Sequence, residues 1–219
     1  MAERHIVASG GSRPGTKLDD YVLELARGPR ICFVPTATME QDWLLVMFYD
    51  AVARRSEPSH LLFNPWPPEN LREFVLTQDV LVVAGGNTAN MLAIWRVYGF
   101  DAIVREAWEA GVVLCGWSAG MICWFEAGVT DSFGPQLDGM DCLGLLPGSA
   151  CPHYDGEELR RPRYRELVDG GFPPGYAAED GVALHFAGAE LADVVTVREG
   201  KRAYRVEPGS ETPLEAWLL

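Results

Sequence analysis

Two runs of valine and leucine constrain this chain more than any other feature. Residues 79–84 (DVLVVA) and 111–115 (GVVLC) pass from one apolar position to the next with no polar alternation. A strand of that kind is buried on both faces, which happens when helices cover both sides of a largely parallel sheet. Each run leads into glycines and then a helix-forming segment. Residues 5–9, 30–34 and 60–63 read as further strands, and 19–26, 39–55, 88–98 and 101–110 as helices. In 39–55 the apolar positions at helical spacing are Trp43, Val46 and Met47, with Asp50 facing out. Strands separated by helices predict an α/β fold: a mostly parallel twisted sheet with helices on both faces. The last third differs, with a basic helix over 159–169 and strand candidates at 181–186, 194–198 and 202–206. Glu199-Gly200 would join the last two as a C-terminal β-hairpin. No repeat, low-complexity stretch or linker interrupts residues 1–219, so the chain reads as a single α/β domain.

The net charge is −13, from 31 acidic and 18 basic residues. Such a field opposes phosphate backbones and anionic lipid, so neither nucleic acid nor a membrane is expected as a partner. It also repels anionic substrates, and a site for one needs its own local cation. The five cysteines, Cys32, Cys115, Cys123, Cys142 and Cys151, form no C-x-x-C pair and read as buried, reduced thiols. The four histidines are scattered and suggest no metal site. The N-terminus runs into an apolar strand without the pattern of a signal peptide. The longest uncharged stretches fall short of the ~20 apolar residues that span a bilayer. A soluble, cytoplasmic protein is expected.

The most informative segment is residues 112–122, VVLCGWSAGMI: a buried strand, then Gly-x-Ser-x-Gly, then an apolar helix start. In a nucleophile elbow the serine occupies a strained strand-to-helix turn, and glycines flank it because side chains there would clash with neighbouring backbone. The turn would lift the Ser118 hydroxyl above the carboxyl end of the sheet. The Ala119 N–H, at a helix N-terminus, would face developing negative charge. A second turn, Gly85-Gly86-Asn87-Thr88, follows the neighbouring strand. Either Asn87 or Thr88 simply caps the next helix there, or Gly86 offers a second oxyanion N–H. The phosphate-binding patterns G-x-G-x-x-G and G-x-x-x-x-G-K-[ST] are absent.

Together these two turns, about thirty residues apart, resemble the peptidase E family of serine dipeptidases, with cyanophycinases as more distant relatives. The resemblance extends from the first strand to about Phe186. It implies a fold similar to the glutamine amidotransferase-like (flavodoxin-like) proteins and hydrolysis of dipeptides with an N-terminal aspartate. Residue by residue, it places the nucleophile on Ser118 and the histidine on His153, in Cys151-Pro152-His153-Tyr154. The acid falls on Asp180, where the family more often has glutamate. Its alternatives are Glu179, and Asp131, which matches a family aspartate just after the nucleophile helix. His153 also stands out by position, because it alone follows a strand end and precedes a polar loop, where catalytic groups of open α/β sheets collect.

Residues 158–167 form the one basic patch of the chain, and most of its arginines read as a solvated helix face pairing with Glu157, Glu158 and Glu166. The resemblance aligns Arg160 with the arginine that holds the substrate's aspartate carboxylate. A guanidinium suits that task, and Pro162 would mark the first helical turn with Arg160 in the preceding loop. Asn87 joins Arg160 as an expected substrate-binding residue. The implied reaction is acyl transfer to Ser118 with His153 as base, Asp180 orienting it, and Gly86 and Ala119 as the oxyanion hole. No metal or organic cofactor is required. The expected partner is a small peptide substrate, and a homodimer is compatible with the reading. The alternatives are a cyanophycinase-like enzyme, another small-peptide hydrolase, an esterase, or an inactive binding protein on the same fold. A glutamine amidotransferase is disfavoured because its elbow carries cysteine.

Overall fold

The protein was analysed as a computed structural model that describes residues 3–219. The chain runs through β1 (His5–Ser9), α1 (Lys17–Leu25), β2 (Arg30–Val34), α2 (Asp42–Val52), β3 (Glu57–His60), α3 (Leu71–Leu76) and β4 (Val80–Val83). It continues through α4 (Thr88–Val97), α5 (Phe100–Glu109), β5 (Val113–Trp117), the four-residue α6 (Ala119–Ile122), β6 (Phe125–Thr130), β7 (Asp138–Asp141) and β8 (Leu146–Cys151). The last elements are α7 (Arg160–Asp169), β9 (Gly175–Ala178), β10 (Val182–Ala187), β11 (Glu190–Thr196), β12 (Ala203–Glu207), β13 (Ser210–Leu214) and β14 (Trp217–Leu218).

The fold is α/β, built on an eight-stranded sheet in the order β14-β11-β10-β1-β5-β4-β2-β3. Strands β1, β5, β4, β2 and β3 are mutually parallel, and β10 and β11 are added antiparallel on the β1 side. Period-two geometry sends alternate residues of each strand to opposite faces. Val7, Ile31, Phe33, Val80, Val82 and Val113 pack under α1 and α2, against Leu18, Val22, Leu44 and Phe48. Ile6, Cys32, Val34, Leu81, Val83 and Leu114 face the other way, onto Val75, Met91, Trp95, Phe100 and Val104 of α3, α4 and α5. The two apolar runs are therefore the central strands β4 and β5, apolar throughout because both faces are covered.

A second sheet, which no periodicity in the sequence announces, has the order β13-β12-β9-β8-β6-β7. Its Phe125, Leu146, Ala150, Ala178 and Ala203 extend the core beneath the main sheet. Its outer face is covered by Tyr164 and Val168 of α7, packed on Val129, Cys151, Ala177 and Tyr204. The Glu199-Gly200 turn does not close a hairpin, because β11 belongs to the first sheet and β12 to the second. The C-terminal hairpin is β12–β13 instead, and β10 pairs with β11.

Two local expectations also shift. Helix α2 buries Leu44, Phe48 and Val52, while Trp43 and Val46 on its other face are 52% and 61% exposed. The third strand ends at His60 rather than beginning there. All five cysteines are free, with Cys142 half-buried and the others buried. Burial pushes the Cys32 and Cys151 thiols up to about 12. Among the described residues no helix is long and apolar enough to cross a membrane.

Candidate active site

Strands β1, β5 and β4 are neighbours and parallel, so the turns after them open at the same edge of the sheet. Ser118 follows β5 with φ 57° and ψ −110°, a conformation that costs an L-residue ~1–3 kcal/mol and persists only where the surroundings enforce it. The enforcement is visible in the flanking glycines. A Cβ on Gly116 would lie 2.5 Å from the Val83 carbonyl oxygen, and one on Gly120 would lie 2.2 Å from that same oxygen. The Ser118 N–H donates to the Ser9 carbonyl at 3.1 Å, and the Ser118 carbonyl accepts from the N–H groups of Met121 and Ile122 at 2.9 and 3.1 Å. Behind the serine, Phe33 stacks between Phe48 and Trp117, with centroids 4.8 and 5.9 Å apart, which fixes Trp117 beside it.

The Gly85-Gly86 turn lies against this elbow. A Cβ on Gly85 would sit 3.0 Å from the Cβ of Ser118, and one on Gly86 (φ +131°) would sit 2.2 Å from the Ala37 carbonyl oxygen. Among the described residues the Gly86 N–H has no hydrogen-bond acceptor, and the Ala119 N–H, first in α6, has no intrahelical one. Asn87, expected to bind substrate, is engaged within the protein. Its Oδ1 accepts from the Asn90 N–H at 2.9 Å and its Nδ2 donates to the Ser132 carbonyl at 3.0 Å. Both ends of the amide are consumed in capping α4 and tethering the loop after β6.

His153 leaves the end of β8 with φ +53°, and its N–H donates to the Gly10 carbonyl at 3.2 Å. Its Nδ1 is 2.7 Å from Oδ1 of Asp180. The pair is caged by backbone: a Cβ on Gly11 would lie 1.9 Å from Asp180 Oδ1, and one on Gly156 would lie 2.7 Å from Oδ2. The Asp180 N–H donates to Asp155 Oδ1 at 2.9 Å. Burial works to raise the Asp155 carboxyl, but the bonds from Lys201 and the Asp180 N–H outweigh it and hold the group below the usual carboxylate range.

The alternative acids are elsewhere. Glu179 is buried and accepts from the Arg202 N–H at 3.1 Å and the Tyr204 hydroxyl at 2.9 Å, and Asp131 is exposed and forms no ion pair with His153. Arg160 departs furthest from expectation. It is the first residue of α7 rather than part of a loop. It is only 4% exposed, with Nε bonded to Glu157 at 2.6 Å and Nη1 to the Val129 carbonyl at 3.3 Å. It does not line the cleft that holds Ser118.

That cleft, of about 700 Å³, is lined by Ser118, His153 and Asp180 together with Gly85, Gly86, Trp43, Leu44 and Trp117. Its size suits a small ligand. The Ser118 hydroxyl makes no hydrogen bond to the imidazole in this state, a common looseness before substrate closes the geometry. Two further residues that no sequence motif marks, Arg13 and Arg198, also line the cleft. Arg13 lies in the loop after the central strand β1, a position that strand order alone would flag. Arg198 follows β11, in the region where the strand pairing departs from expectation.

A serine on a glycine-pinched elbow at the open edge of an α/β sheet defines a serine hydrolase, and comparison with known proteins narrows the class to serine peptidases. The model of Peptidase family S51 matches residues 6–194. The chain is 48% identical over 213 residues to the uncharacterized peptidase YgaJ of Bacillus subtilis (strain 168), covering 93% of this chain and 92% of that one. It is 32% identical over 145 residues to peptidase E of Shewanella amazonensis, covering 61% and 59% of the two chains. A crystal structure of a peptidase from an acI-B1 Actinobacterium shares the fold, with a TM-score of 0.73 and 16% identity over 98% of this chain and 95% of that one. The chain belongs to peptidase family S51.

Proposed function

We propose that the protein is a serine dipeptidase that cleaves small peptides through an acyl-enzyme on Ser118. The observation that carries this reading is the His153 Nδ1–Asp180 Oδ1 bond of 2.7 Å at the wall of the Ser118 cleft. With Nδ1–H donated to the carboxylate, the lone pair of the neutral ring is on Nε2, the atom free to take a proton from the serine. Ser118 Oγ attacks the peptide carbonyl as His153 Nε2 removes its proton, and Asp180 stabilises the imidazolium so formed. The oxyanion is received by the N–H groups of Gly86 and Ala119, where one donor is worth about 2.7–4 kcal/mol of barrier. His153 then protonates the leaving amine, and water releases the acyl group by the reverse proton route.

The narrower preference for Asp-X dipeptides rests on the family resemblance alone, since Arg160 is buried and already paired. Labelling with a fluorophosphonate that disappears in Ser118→Ala tests the nucleophile. Folded wild-type protein that resists the label would overturn the proposal. Assays of Asp-Leu, Leu-Leu and an acetyl ester side by side then decide among aspartyl dipeptidase, general dipeptidase and esterase.

A further inference from the structure

Two cations, Arg13 and Arg198, line the Ser118 cleft, whose lining carboxylate, Asp180, is bonded to His153. Among the described residues neither the Arg13 nor the Arg198 guanidinium takes part in an ion pair, whereas Arg160, Arg161, Arg163 and Lys201 all do. Leaving two unpaired at one cleft makes the site locally cationic within an overall negative field.

Neither arginine hangs from a loose loop. The segment carrying Arg13 is pinned at its start, where the Gly10 N–H donates to the Val182 carbonyl at 2.9 Å and the Gly181 N–H to the Gly11 carbonyl at 2.6 Å. It is pinned at its end by the Thr16–Asp19 capping box of α1. The side chain of Arg198 lies over Gly181, whose missing Cβ would stand 2.9 Å from its Cγ and Cδ. Its backbone is held by the bond from Val197 N–H to the Gly181 carbonyl at 2.9 Å and by its own N–H to Thr196 Oγ1 at 3.1 Å. Arg13 thus stands two residues after Gly11, which touches both His153 and Asp180, and Arg198 packs on the residue next to Asp180. Both arginines belong to the imidazole side of the cleft. The Gly85-Gly86 turn follows β4, and β4 and β1 flank β5 on opposite sides.

That placement has a chemical meaning with Ser118 as the nucleophile, the proposed role on which this inference rests. The imidazole hands its proton to the departing nitrogen, so the leaving residue lies on its side. In a dipeptide that residue carries a free α-carboxylate one carbon beyond its Cα, and guanidinium groups clasp carboxylates by paired charged hydrogen bonds. We infer that Arg13 and Arg198 form the site for the free α-carboxylate of the leaving residue. They would thereby restrict the enzyme to substrates that end one residue after the scissile bond.

The test uses Asp-Leu and Leu-Leu, each as the free acid and as the C-terminal amide, titrated calorimetrically into Ser118→Ala protein. The free acids should bind about tenfold to a hundredfold more tightly than the amides, the worth of a charge-assisted contact. The acid-to-amide ratio should fall toward one in Arg13→Gln, in Arg198→Gln and furthest in the double variant. Both side chains are exposed, so thermal melts of these variants should match the parent. Equal binding of acid and amide, a ratio that survives the double substitution, or no binding of any peptide would overturn the assignment. So would a loss confined to Asp-Leu over Leu-Leu, which would move the arginines to the first residue's side chain. Fluorophosphonate labelling of wild type is read separately. A labelled Ser118 with no acid-over-amide preference removes the carboxylate site and leaves the hydrolase. Unlabelled protein that still discriminates acid from amide does the reverse.

Discussion

Two histidines in this molecule each sit near an acid, Asp180 for His153 and Asp193 for His185, yet only one can act as a base. His153 stands off the end of β8, with Nδ1 bonded to Asp180 and its ring at the wall of the cleft. His185 stands in the middle of β10, buried, with Nδ1 on the Tyr21 hydroxyl at 2.7 Å and Nε2 on His5 Nδ1 at 3.0 Å. A general base needs one nitrogen held and the other nitrogen's lone pair free. His153 meets that condition and His185 fails it, because both its nitrogens are satisfied inside the protein. The lesson concerns backbone more than residue type: a strand interior hands a ring to its neighbours, whereas a strand end hands it to solvent and substrate.

Exchanging the two residues should produce the largest contrast. His153→Ala is expected to lower kcat/KM by about 10⁶-fold with little change in melting temperature. His185→Gln should leave kcat/KM within a few-fold while lowering the melting temperature, since buried hydrogen bonds are lost. Dipeptide hydrolysis and thermal melts on the same samples check both. Equal damage to activity from the two would dissolve the distinction. The acids sharpen it one step further. Asp180→Asn should cost about 10⁴-fold in kcat by favouring the wrong tautomer. Glu179→Gln next door should cost about 1 kcal/mol of stability and little activity, because its carboxylate serves Arg202 and Tyr204.

Legibility in the sequence obeys the same division between strand interior and strand end. The central parallel strands and the elbow are legible because covered strands are apolar throughout, and because a serine pinched by two glycines has few other uses. The second sheet is not. Strands β7, β8 and β9 read DGMD, LPGSAC and GYAA, short and rich in glycine, proline or charge, with no period to detect. The Glu199-Gly200 turn is recognisable as a turn, but turn chemistry does not say which strands flank it in space. Helix α2 misleads because Trp43 and Val46 are as apolar as the buried Leu44 and Phe48, and Trp43 instead lines the cleft. Arg160 aligns with a substrate-binding arginine on sequence spacing, which carries no information about burial. Its predicted behaviour is correspondingly structural. Arg160→Met should remove the bonds to Glu157 and to the Val129 carbonyl and lower stability by about 1–3 kcal/mol, seen as a shifted denaturation midpoint. Relative rates on Asp-Leu and Leu-Leu should not change.

The smallest expected effect is a pH dependence confined to His185. Burial, reinforced by the neighbouring His5, lowers its pKa below the ordinary value near 6.5, against weaker pulls from Asp193 and Glu3. In the unfolded chain the ring takes up a proton as pH falls below about 6.5, while the native protein resists that proton. The contribution of the neutral, doubly bonded ring is therefore fully present above the unfolded pKa. It is lost as pH falls toward and through the lower folded value. Melting temperatures at about pH 7.5 and about pH 5.5 should differ by at most a few degrees for a chain of this length, a window that stays above the range in which unperturbed carboxylates titrate. His185→Gln should flatten that difference, because glutamine has no proton to take up. A slope that persists unchanged in His185→Gln would assign the effect to another group and remove the electrostatic part of the contrast between the two histidines.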